Sequence, residues 1–359
     1  MTFAKRIHLR SRVVGLDIGS TALRAVEVVS HKRTQTNTLH VYEVLLPKGA
    51  VVAGEVVETE IVVAALNSLW LAGGFKSKNV ILGLANQNIL VRELVIEKMS
   101  QSRLQESLPF LAQSQTQIPI AISVFDFYPI SELSGDIPMI KGLLVAAEKE
   151  RILQNFRAVV KAGLKPKRID LTPFALSRLL VSKPGVSKPV ALIDIGAATS
   201  SLTISIGEIP QFVRMLPSGG DKFTQALANG LSISFAEAQI LKHNIEPDPE
   251  VTTPQHQRAM EILEVESIGL INSLRNTINY FSNTHSSAPI AEIMLTGGGS
   301  RLIGFAQALS AETQIPVVPV ELFSTIIRRT QDGTAELAEV RIPITVALAL
   351  AQPPKKVQR

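Results

Sequence analysis

A short run of residues near the start of the chain has the chemistry to hold a phosphate. Asp17 ends an apolar stretch, and Gly19, Ser20 and Thr21 follow it. Such a turn can point several backbone N–H groups at one anion, and glycine permits a close approach. Arg24 could bind the same phosphate through two hydrogen bonds, and Asp17 could hold Mg²⁺ through water. Taken alone, the pattern is equally compatible with an ordinary β-turn.

A second run repeats this pattern half a chain later. Asp194 ends an apolar stretch, and Gly196, Ala198 and Thr199 follow it before another apolar stretch begins. A repeat of this kind predicts two duplicated halves with a ligand held by both. Asp194 is therefore a second candidate for Mg²⁺ held through water, with a turn-capping carboxylate as the alternative.

A third run is rich in glycine. Gly297, Gly298 and Gly299 lie between an apolar stretch and a predicted helix, with Ser300 directly after them. Three glycines leave a flat surface against which an adenosine could lie, and Ser300 is a predicted helix N-cap. A lone triple glycine is usually a flexible turn. The order of the three motifs along the chain nevertheless favours a single nucleotide site.

The composition excludes several other classes of protein. The chain has 359 residues, of which 46% are hydrophobic and 19% charged, which predicts at least two packed units. It has no cysteine, so disulfides, thiolate metal sites and cysteine nucleophiles are excluded. The net charge of +5 comes from scattered basic residues, and we expect no nucleic-acid partner.

The apolar runs favour a cytoplasmic protein. None reaches the roughly 18–20 residues that span a bilayer, and the basic N-terminal stretch has no signal-peptide core. Phe3, Ile7 and Leu9 in that stretch could lie on a membrane surface, or the stretch could be a solvated tail.

The predicted elements divide the chain into two lobes. The first lobe opens with three predicted strands, at residues 13–17, 23–29 and 39–46. Helices are predicted at 58–74 and 101–113, and further strands at 80–84, 89–96, 124–128 and 140–147. The expected parts are a first lobe (1–46 and 148–187), an α+β insertion (47–147), a second lobe (188–218 and 290–359) and a helical nucleotide-covering subdomain (219–289). A linker, KPGVSKP, joins the lobes, and the C-terminal helix is expected to pack on the first lobe.

In this order, the three motifs resemble the first phosphate, second phosphate and adenosine loops of the actin-like ATPase superfamily. The run DIGSTALR matches the Asp-x-Gly-Ser-x-x-x-Lys pattern, with Arg24 in the position of the phosphate-facing lysine. The resemblance implies an α/β fold of the actin-like (ribonuclease H-like) type, with two lobes and a small α+β insertion in the first. It also implies ATP and Mg²⁺ as ligands.

Within the superfamily the chain resembles the FtsA-related PilM family of type IV pilus assembly proteins along almost its full length. The likeness is carried by LDIGSTALRAVEVV, PKRIDLTPFAL, IDIGAATSSLTI and LPSGGDKFTQALA. It places Gly219 and Gly220 at the entry to the helical subdomain. Gln239 and Lys242 take the positions of an acid and a lysine that face ribose and adenine. Gln239 keeps a hydrogen-bonding group but loses the charge.

The resemblance also bears on hydrolysis, which needs a side chain that orients the attacking water. Bacterial actin relatives carry a glutamate before the proline of a Glu-Pro-x-Ala segment. This chain has Thr172 there, with Asp170 two residues earlier as a second candidate. We therefore expect nucleotide binding with weak or absent hydrolysis.

The implied role is a cytoplasmic scaffold, peripheral on the inner membrane. It would bind the N-terminal peptide of a PilN-like membrane protein and connect it to pilus motor ATPases and platform proteins. Two alternatives stay open: an FtsA-like polymerising, membrane-anchoring cell-division protein, and a small-molecule kinase or ATPase of the same fold. The polar, Pro-containing end AQPPKKVQR counts against the first alternative, and Thr172 counts against the second.

Overall fold

The computed structural model describes residues 12–31, 36–113, 115, 119–181, 188–245, 253–285, 289–320, 327–329, 335–337 and 345–352. The N-terminal stretch with Phe3, Ile7 and Leu9 lies outside the described residues. So do most of the predicted linker and nearly all of the segment AQPPKKVQR. The chain forms two compact units. The first comprises Met1–Leu84, Glu150–Leu179 and Glu321–Arg359, and the second comprises Ala85–Lys149 and Leu180–Val320.

The regular elements of the described residues are as follows. The strands are β1 (Val14–Ile18), β2 (Ala22–His31), β3 (Thr36–Leu45), β4 (Val51–Val52), β5 (Glu55–Val56), β6 (Asn79–Leu84), β7 (Leu90–Glu97), β8 (Ser123–Leu133), β9 (Met139–Glu148), β10 (Lys165–Leu171), β11 (Pro189–Ile195), β12 (Ser200–Ile206), β13 (Ile209–Leu216), β14 (Glu292–Thr296), β15 (Val317–Pro319), β16 (Ile327–Arg329) and β17 (Ala335–Leu337). The α-helices are α1 (Thr59–Gly73), α2 (Gln101–Gln113), α3 (Lys149–Lys161), α4 (Thr172–Leu180), α5 (Gly220–Leu231), α6 (Phe235–Asn244), α7 (Pro254–Thr284), α8 (Phe305–Thr313) and α9 (Thr345–Ala351).

The first unit is built on a seven-stranded sheet of order β10-β6-β1-β2-β3-β16-β17. β1 pairs antiparallel with β2 and parallel with β6, and β6 pairs parallel with β10. One side of this sheet contributes Leu16 and Leu82 to a core that also holds Leu66 and Leu69 of α1. α9 packs directly on β1. The absence of a side chain at Gly15 permits this approach, since a Cβ there would lie only 2.6 Å from the backbone nitrogen of Ala351.

The placement of β6 differs from the prediction of an insertion over residues 47–147. The strand predicted at residues 80–84 was expected to belong to that insertion, but β6 lies between β1 and β10 in the first unit's sheet. Residues 80–84 are all buried, which is typical of an interior strand in a parallel arrangement. The separate sheet over this part of the chain contains β7, β9 and β8 and spans residues 90–148.

The second unit contains a five-stranded sheet of order β13-β12-β11-β14-β15. α5, α7 and α8 pack against it, and their buried side chains include Phe223, Phe281 and Phe305. In the described part of residues 219–289, where a helical subdomain was predicted, the chain forms the helices α5, α6 and α7. α7 starts at Pro254 because Thr253 caps it, accepting a hydrogen bond from the backbone of His256.

The internal repeat is confirmed as two antiparallel hairpins. β1 and β2 form the first, and β11 and β12 form the second. In each hairpin the aspartate is the next-to-last residue of the leading strand, since β1 ends at Ile18 and β11 ends at Ile195. Across the described residues, each helix is too short or too polar to cross a bilayer.

Candidate functional site

The turn between β1 and β2 places the first candidate phosphate site in the first unit. The backbone N–H of Gly19 donates to the carbonyl oxygen of Ala22 at 3.1 Å, which closes the turn around Ser20 and Thr21. The carbonyl of Thr21 accepts from the backbone N–H of Leu46 at 2.9 Å. The turn is therefore fixed to the chain that follows β3 as well as to its own hairpin.

Asp17 and Arg24 lie directly opposite each other on β1 and β2. The Asp17 carboxylate and the Arg24 Nη1 atom are 3.8 Å apart, an ion pair without a direct hydrogen bond. Burial raises the pKa of Asp17; Arg24 opposes this effect and Glu43 adds to it. A carboxylate in these surroundings would be stabilised by an added cation.

The turn between β11 and β12 places the second candidate site in the second unit. The Gly196 N–H donates to the Thr199 carbonyl at 3.0 Å, so Ala198 lies at the tip of the turn. The N–H groups of Gly220 and Asp221 donate to the carbonyls of Gly196 and Ala197 at 2.8 and 2.7 Å. The first turn of α5 thus binds the turn of this candidate site through its backbone.

Gly219 makes that approach possible. A Cβ at this position would lie 2.6 Å from the carbonyl oxygens of both Gly196 and Ala197, closer than any side chain tolerates. Gly219 precedes α5 and has extended backbone angles. The resemblance placed Gly219 and Gly220 at the entry to the helical subdomain, and the structure places them at the junction of α5 with the second turn.

The glycine-rich segment lies against the same hairpin. Gly297 has φ +88°, and a Cβ there would lie 2.6 Å from the Oδ1 atom of Asp194. Gly299 is packed against the side chain of Ile195, whereas a Cβ at Gly298 would meet nothing within 4 Å. Asp194 and the glycine segment are therefore neighbours in one unit, and Gly298 is the open member of the segment.

The predicted N-cap role of Ser300 is wrong. The Ser300 hydroxyl donates to the Gly297 carbonyl at 2.6 Å inside a short 3₁₀ turn, Gly298–Arg301. α8 starts only at Phe305, after Gly304. The tight 3₁₀ turn satisfies the serine locally, which separates the glycine segment from the helix by several residues.

Lys242 and Gln239 lie on α6 and differ in their surroundings. The Lys242 ammonium donates to the Gly220 carbonyl at 2.7 Å and to the Thr224 hydroxyl oxygen at 2.6 Å. Burial lowers the pKa of Lys242, and Asp221 opposes this effect. Gln239 instead lines an open depression on α6 together with Ala236, Ile240, His243 and Asn244.

Glu237, the only acid close to Gln239 on α6, is committed to the helix start. Its backbone N–H donates to the Ser234 hydroxyl at 3.2 Å, and its carboxylate accepts from the Ser234 N–H at 2.8 Å. This reciprocal pair is a capping box. Glu237 therefore does not supply the negative charge that Gln239 lacks.

The two candidate water-orienting residues lie in the first unit, at the junction of β10 and α4. Asp170 forms ion pairs with the Nη2 atoms of Arg168 and Arg178 at 2.9 and 2.5 Å. Its side chain is 11% exposed. Thr172 is buried, and its hydroxyl has no hydrogen-bond partner among the described residues. Asp170 is thus neutralised by two cations, and Thr172 faces the Gly83 backbone rather than solvent.

Three further residues contact these sites and were missed from the sequence. Glu43 binds Arg24 at 2.6 Å from β3, Thr224 accepts from Lys242, and His243 shares the open depression with Gln239. Burial lowers the pKa of His243, and so do the charges of Lys242 and Arg301. The signal for Glu43 was the hairpin register, since Glu43 and Arg24 are paired residues of β2 and β3.

Comparison with known proteins finds one family model that matches most of the chain. Residues 15–352 match the family model described as type IV pilus assembly protein PilM. Among solved structures, the PilM–PilN type IV pilus biogenesis complex is 25% identical with a TM-score of 0.81, covering 95% of this chain and 98% of that one.

More distant structures agree on the fold. The ethanolamine utilization protein EutJ of Carboxydothermus hydrogenoformans is 13% identical with a TM-score of 0.55, covering 95% of this chain and 89% of that one. MreB5 of Spiroplasma citri, solved bound to ADP, is 10% identical with a TM-score of 0.52, covering 87% and 92%. The predicted actin-like α/β fold is confirmed.

Curated relatives are cell division proteins FtsA. The Streptococcus pneumoniae protein is 24% identical over 296 residues, 76% of this chain and 63% of the relative. The Bacillus subtilis protein is 29% identical over 106 residues, 30% of this chain and 24% of the relative. The chain thus spans less than two thirds of the length of either. The family model covers far more of this chain, and the chain belongs to the type IV pilus assembly protein PilM family.

Proposed function

We propose that this chain is a nucleotide-binding scaffold of a type IV pilus assembly platform, located in the cytoplasm and peripheral on the inner membrane. Its proposed partner is the N-terminal peptide of a PilN-like membrane protein, through which it connects to pilus motor ATPases and platform proteins. The observation that carries this proposal is the family match over residues 15–352 together with the 0.81 TM-score to the PilM–PilN complex.

The proposed nucleotide is ATP with Mg²⁺. Asp17 and Asp194 would hold the metal ion through water, as carboxylates at strand ends commonly do. Phosphate oxygens would be bound by the two hairpin turns and Arg24. The turn residues are Gly19, Ser20, Thr21, Gly196, Ala198 and Thr199. Support comes from the donor set, which combines backbone N–H groups, glycines and a guanidinium.

The adenosine would lie against the glycine segment of the second unit. The open space over Gly298 supports this placement, as does the location of Gln239 on an uncovered face of α6. In this proposal Gln239 binds ribose hydroxyls. Lys242 acts by holding α6 to Gly220 and Thr224, because its ammonium already has both of these partners.

We further propose that binding, not turnover, is the main activity at this site. A water-orienting side chain must accept a hydrogen bond from the attacking water. Asp170 accepts from two arginines instead, and Thr172 is buried next to Gly83. Bound ATP would then act by stabilising one conformation of the protein, and its hydrolysis would be slow or absent.

Two binding experiments test the proposal. The first titrates a fluorescent ATP analogue with Mg²⁺ into the wild type, Asp17→Ala and Asp194→Ala, with Asp136→Ala as the control because Asp136 lies in an exposed loop between β8 and β9. Weaker binding in the first two variants only is expected. The second measures binding of a synthetic N-terminal peptide of a PilN-like protein by calorimetry, with a sequence-scrambled peptide as the control. Equal binding of both peptides would refute the scaffold role.

A further inference from the structure

The most organised charge arrangement of the first unit is a row across three neighbouring strands. Asp17 on β1 is paired with Arg24 on β2, and Arg24 is paired with Glu43 on β3. Directly opposed side chains of adjacent strands project from the same face of a sheet and interact. The row therefore reads acid, base, acid on one face of the sheet, at the level of the first phosphate turn.

We propose that Glu43 is a positioning residue that holds the Arg24 guanidinium by one edge, so that its two terminal nitrogens are presented to a nucleotide phosphate. The proposal rests on the proposed nucleotide binding and adds a residue to it. Glu43 itself does not touch the phosphate.

The distances from Arg24 to the carboxylates of Glu43 and Asp17 indicate different roles for the two acids. Arg24 Nε donates to Glu43 Oε2 at 2.6 Å, a short charge-assisted hydrogen bond. Arg24 Nη1 lies 3.8 Å from Asp17 Oδ2, beyond hydrogen-bond length. Glu43 is thus the anchor of the guanidinium, and Asp17 is a neighbour that stays available to a metal ion.

One terminal nitrogen of Arg24, Nη1, lies at the first candidate phosphate turn. A Cβ at Gly19 would lie 3.4 Å from Arg24 Nη1, so this nitrogen borders the turn where glycine leaves room. Among the described residues, Nε is the one Arg24 nitrogen with a hydrogen bond. Nη1 and Nη2 together form the fork that binds phosphate oxygens in a bidentate manner.

Anchoring by Glu43 favours phosphate binding by Arg24 and also keeps Arg24 away from Asp17. An unanchored arginine loses rotamer entropy when it binds, and a side chain that is already fixed loses less. The Arg24 and Glu43 side chains are 16% and 32% exposed, so their contact is only partly screened by solvent. Without Glu43, the guanidinium would be free to swing toward Asp17 and neutralise the carboxylate that the metal ion needs.

The test compares ligands that differ only in phosphate. Affinities for Mg–ATP, Mg–ADP and adenosine are measured for the wild type, Glu43→Ala, Glu43→Gln and Arg24→Ala. We expect Glu43→Ala to weaken Mg–ATP binding about tenfold, while its adenosine affinity stays at the wild-type level. Glu43→Gln should recover most of the loss, because the amide oxygen can still accept from Nε–H.

The control is Glu58→Ala, since Glu58 is exposed in the same unit and its side chain makes no capping hydrogen bond. Thermal melts check that each variant is folded. If Glu43→Ala does not fold, Glu43→Thr replaces it, because threonine favours strands and is too short to reach Nε.

The outcomes distinguish the two proposals. If Arg24→Ala weakens ATP binding but Glu43→Ala leaves it unchanged or tightens it, the positioning role of Glu43 is overturned. The proposal of nucleotide binding then stands. Equal losses for ATP and adenosine also overturn it, because they indicate a general structural defect. A wild-type protein that binds none of the three ligands overturns both proposals.

Discussion

The Lys242 ammonium lies 2.7 Å from the carbonyl oxygen of Gly220 and joins α6 to the first turn of α5. The same turn of α5 donates its Gly220 and Asp221 N–H groups to the carbonyls of Gly196 and Ala197. Through α5, Lys242 thereby supports the turn that is the second candidate phosphate site. A lysine that the family resemblance assigns to adenine is, in this chain, part of the framework of the site.

Replacing Lys242 by methionine keeps the aliphatic stem and removes both hydrogen bonds. The Gly220 carbonyl would lose a partner, and Thr224 is fully buried. We expect a loss of about 1–3 kcal/mol in the free energy of unfolding, measured by urea denaturation. The control is Lys222→Met. The ion pair of Lys222 with Glu266 has a 57% exposed lysine side chain and should contribute less than about 1 kcal/mol. Equal effects of the two substitutions would contradict the framework role.

A pair of glycine substitutions separates folding from ligand binding. Gly219→Ala places a methyl group 2.6 Å from two carbonyl oxygens, so we expect destabilisation of about 1–3 kcal/mol or more. Gly298→Ala meets no atom within 4 Å and should leave the thermal midpoint unchanged. If an adenosine lies over Gly298, the second variant should still lose affinity for ATP. Differential scanning fluorimetry with and without Mg–ATP measures both effects, and an unstable Gly298→Ala protein would count against this geometry.

The hairpin turns could be predicted from the sequence because their signals are local. An apolar strand, Asp-Ile-Gly, small residues and a second apolar strand are all contained within a few residues of Asp17 or Asp194. The same holds for the helices of the 221–285 segment. Backbone conformation in these regions follows from neighbouring residues, so little information about distant parts of the chain was needed.

The sequence-based predictions failed where the structure depends on contacts between residues far apart in the sequence. The strands predicted at 80–84 and 89–96 were both assigned to the insertion, yet β6 is buried between β1 and β10. The continuous apolar run Val80–Leu84 contrasts with the mixed burial of β7, and this contrast was the available signal. The partners of Lys242 and Asp170 required the packing of α5 and α4, which no local pattern contains.

An ion-pair cluster of the second unit predicts a pH dependence of stability. Glu93 on β7 binds Lys141 on β9 at 2.8 Å and His285, after α7, at 3.1 Å. Burial alone would raise the pKa of Glu93, but the hydrogen bonds from Lys141 and His285 outweigh it and lower this pKa below its ordinary value of 4.5. The stabilisation is therefore complete above about pH 4.5 and is lost as the pH falls through the lowered pKa.

Glu93→Gln should consequently be less stable than the wild type near neutral pH and equally stable in acid. The side chain is 38% exposed, so solvent screening limits the difference to about 1 kcal/mol. Urea denaturation at about pH 7 and about pH 3 measures it. Glu132→Gln, which breaks a more exposed pair with Lys98, is the matched control. A difference that grows toward acid pH would reverse the assigned sign.

Asp170→Asn distinguishes a structural carboxylate from a catalytic one. The substitution leaves Arg168 and Arg178 beside each other without a counter-charge, and the Arg178 side chain is only 10% exposed. Burial lowers the pKa of Arg168 and Asp170 opposes that shift, so removing the carboxylate further disfavours the charged guanidinium. We expect the free energy of unfolding to fall by about 2–4 kcal/mol. This is near the lower end of the cost of breaking a buried ion pair, because Arg168 is partly exposed. Any slow ATP turnover should persist in the folded fraction, measured by phosphate release at a temperature well below the midpoint. A variant of unchanged stability that loses all turnover would instead identify Asp170 as the residue that orients water.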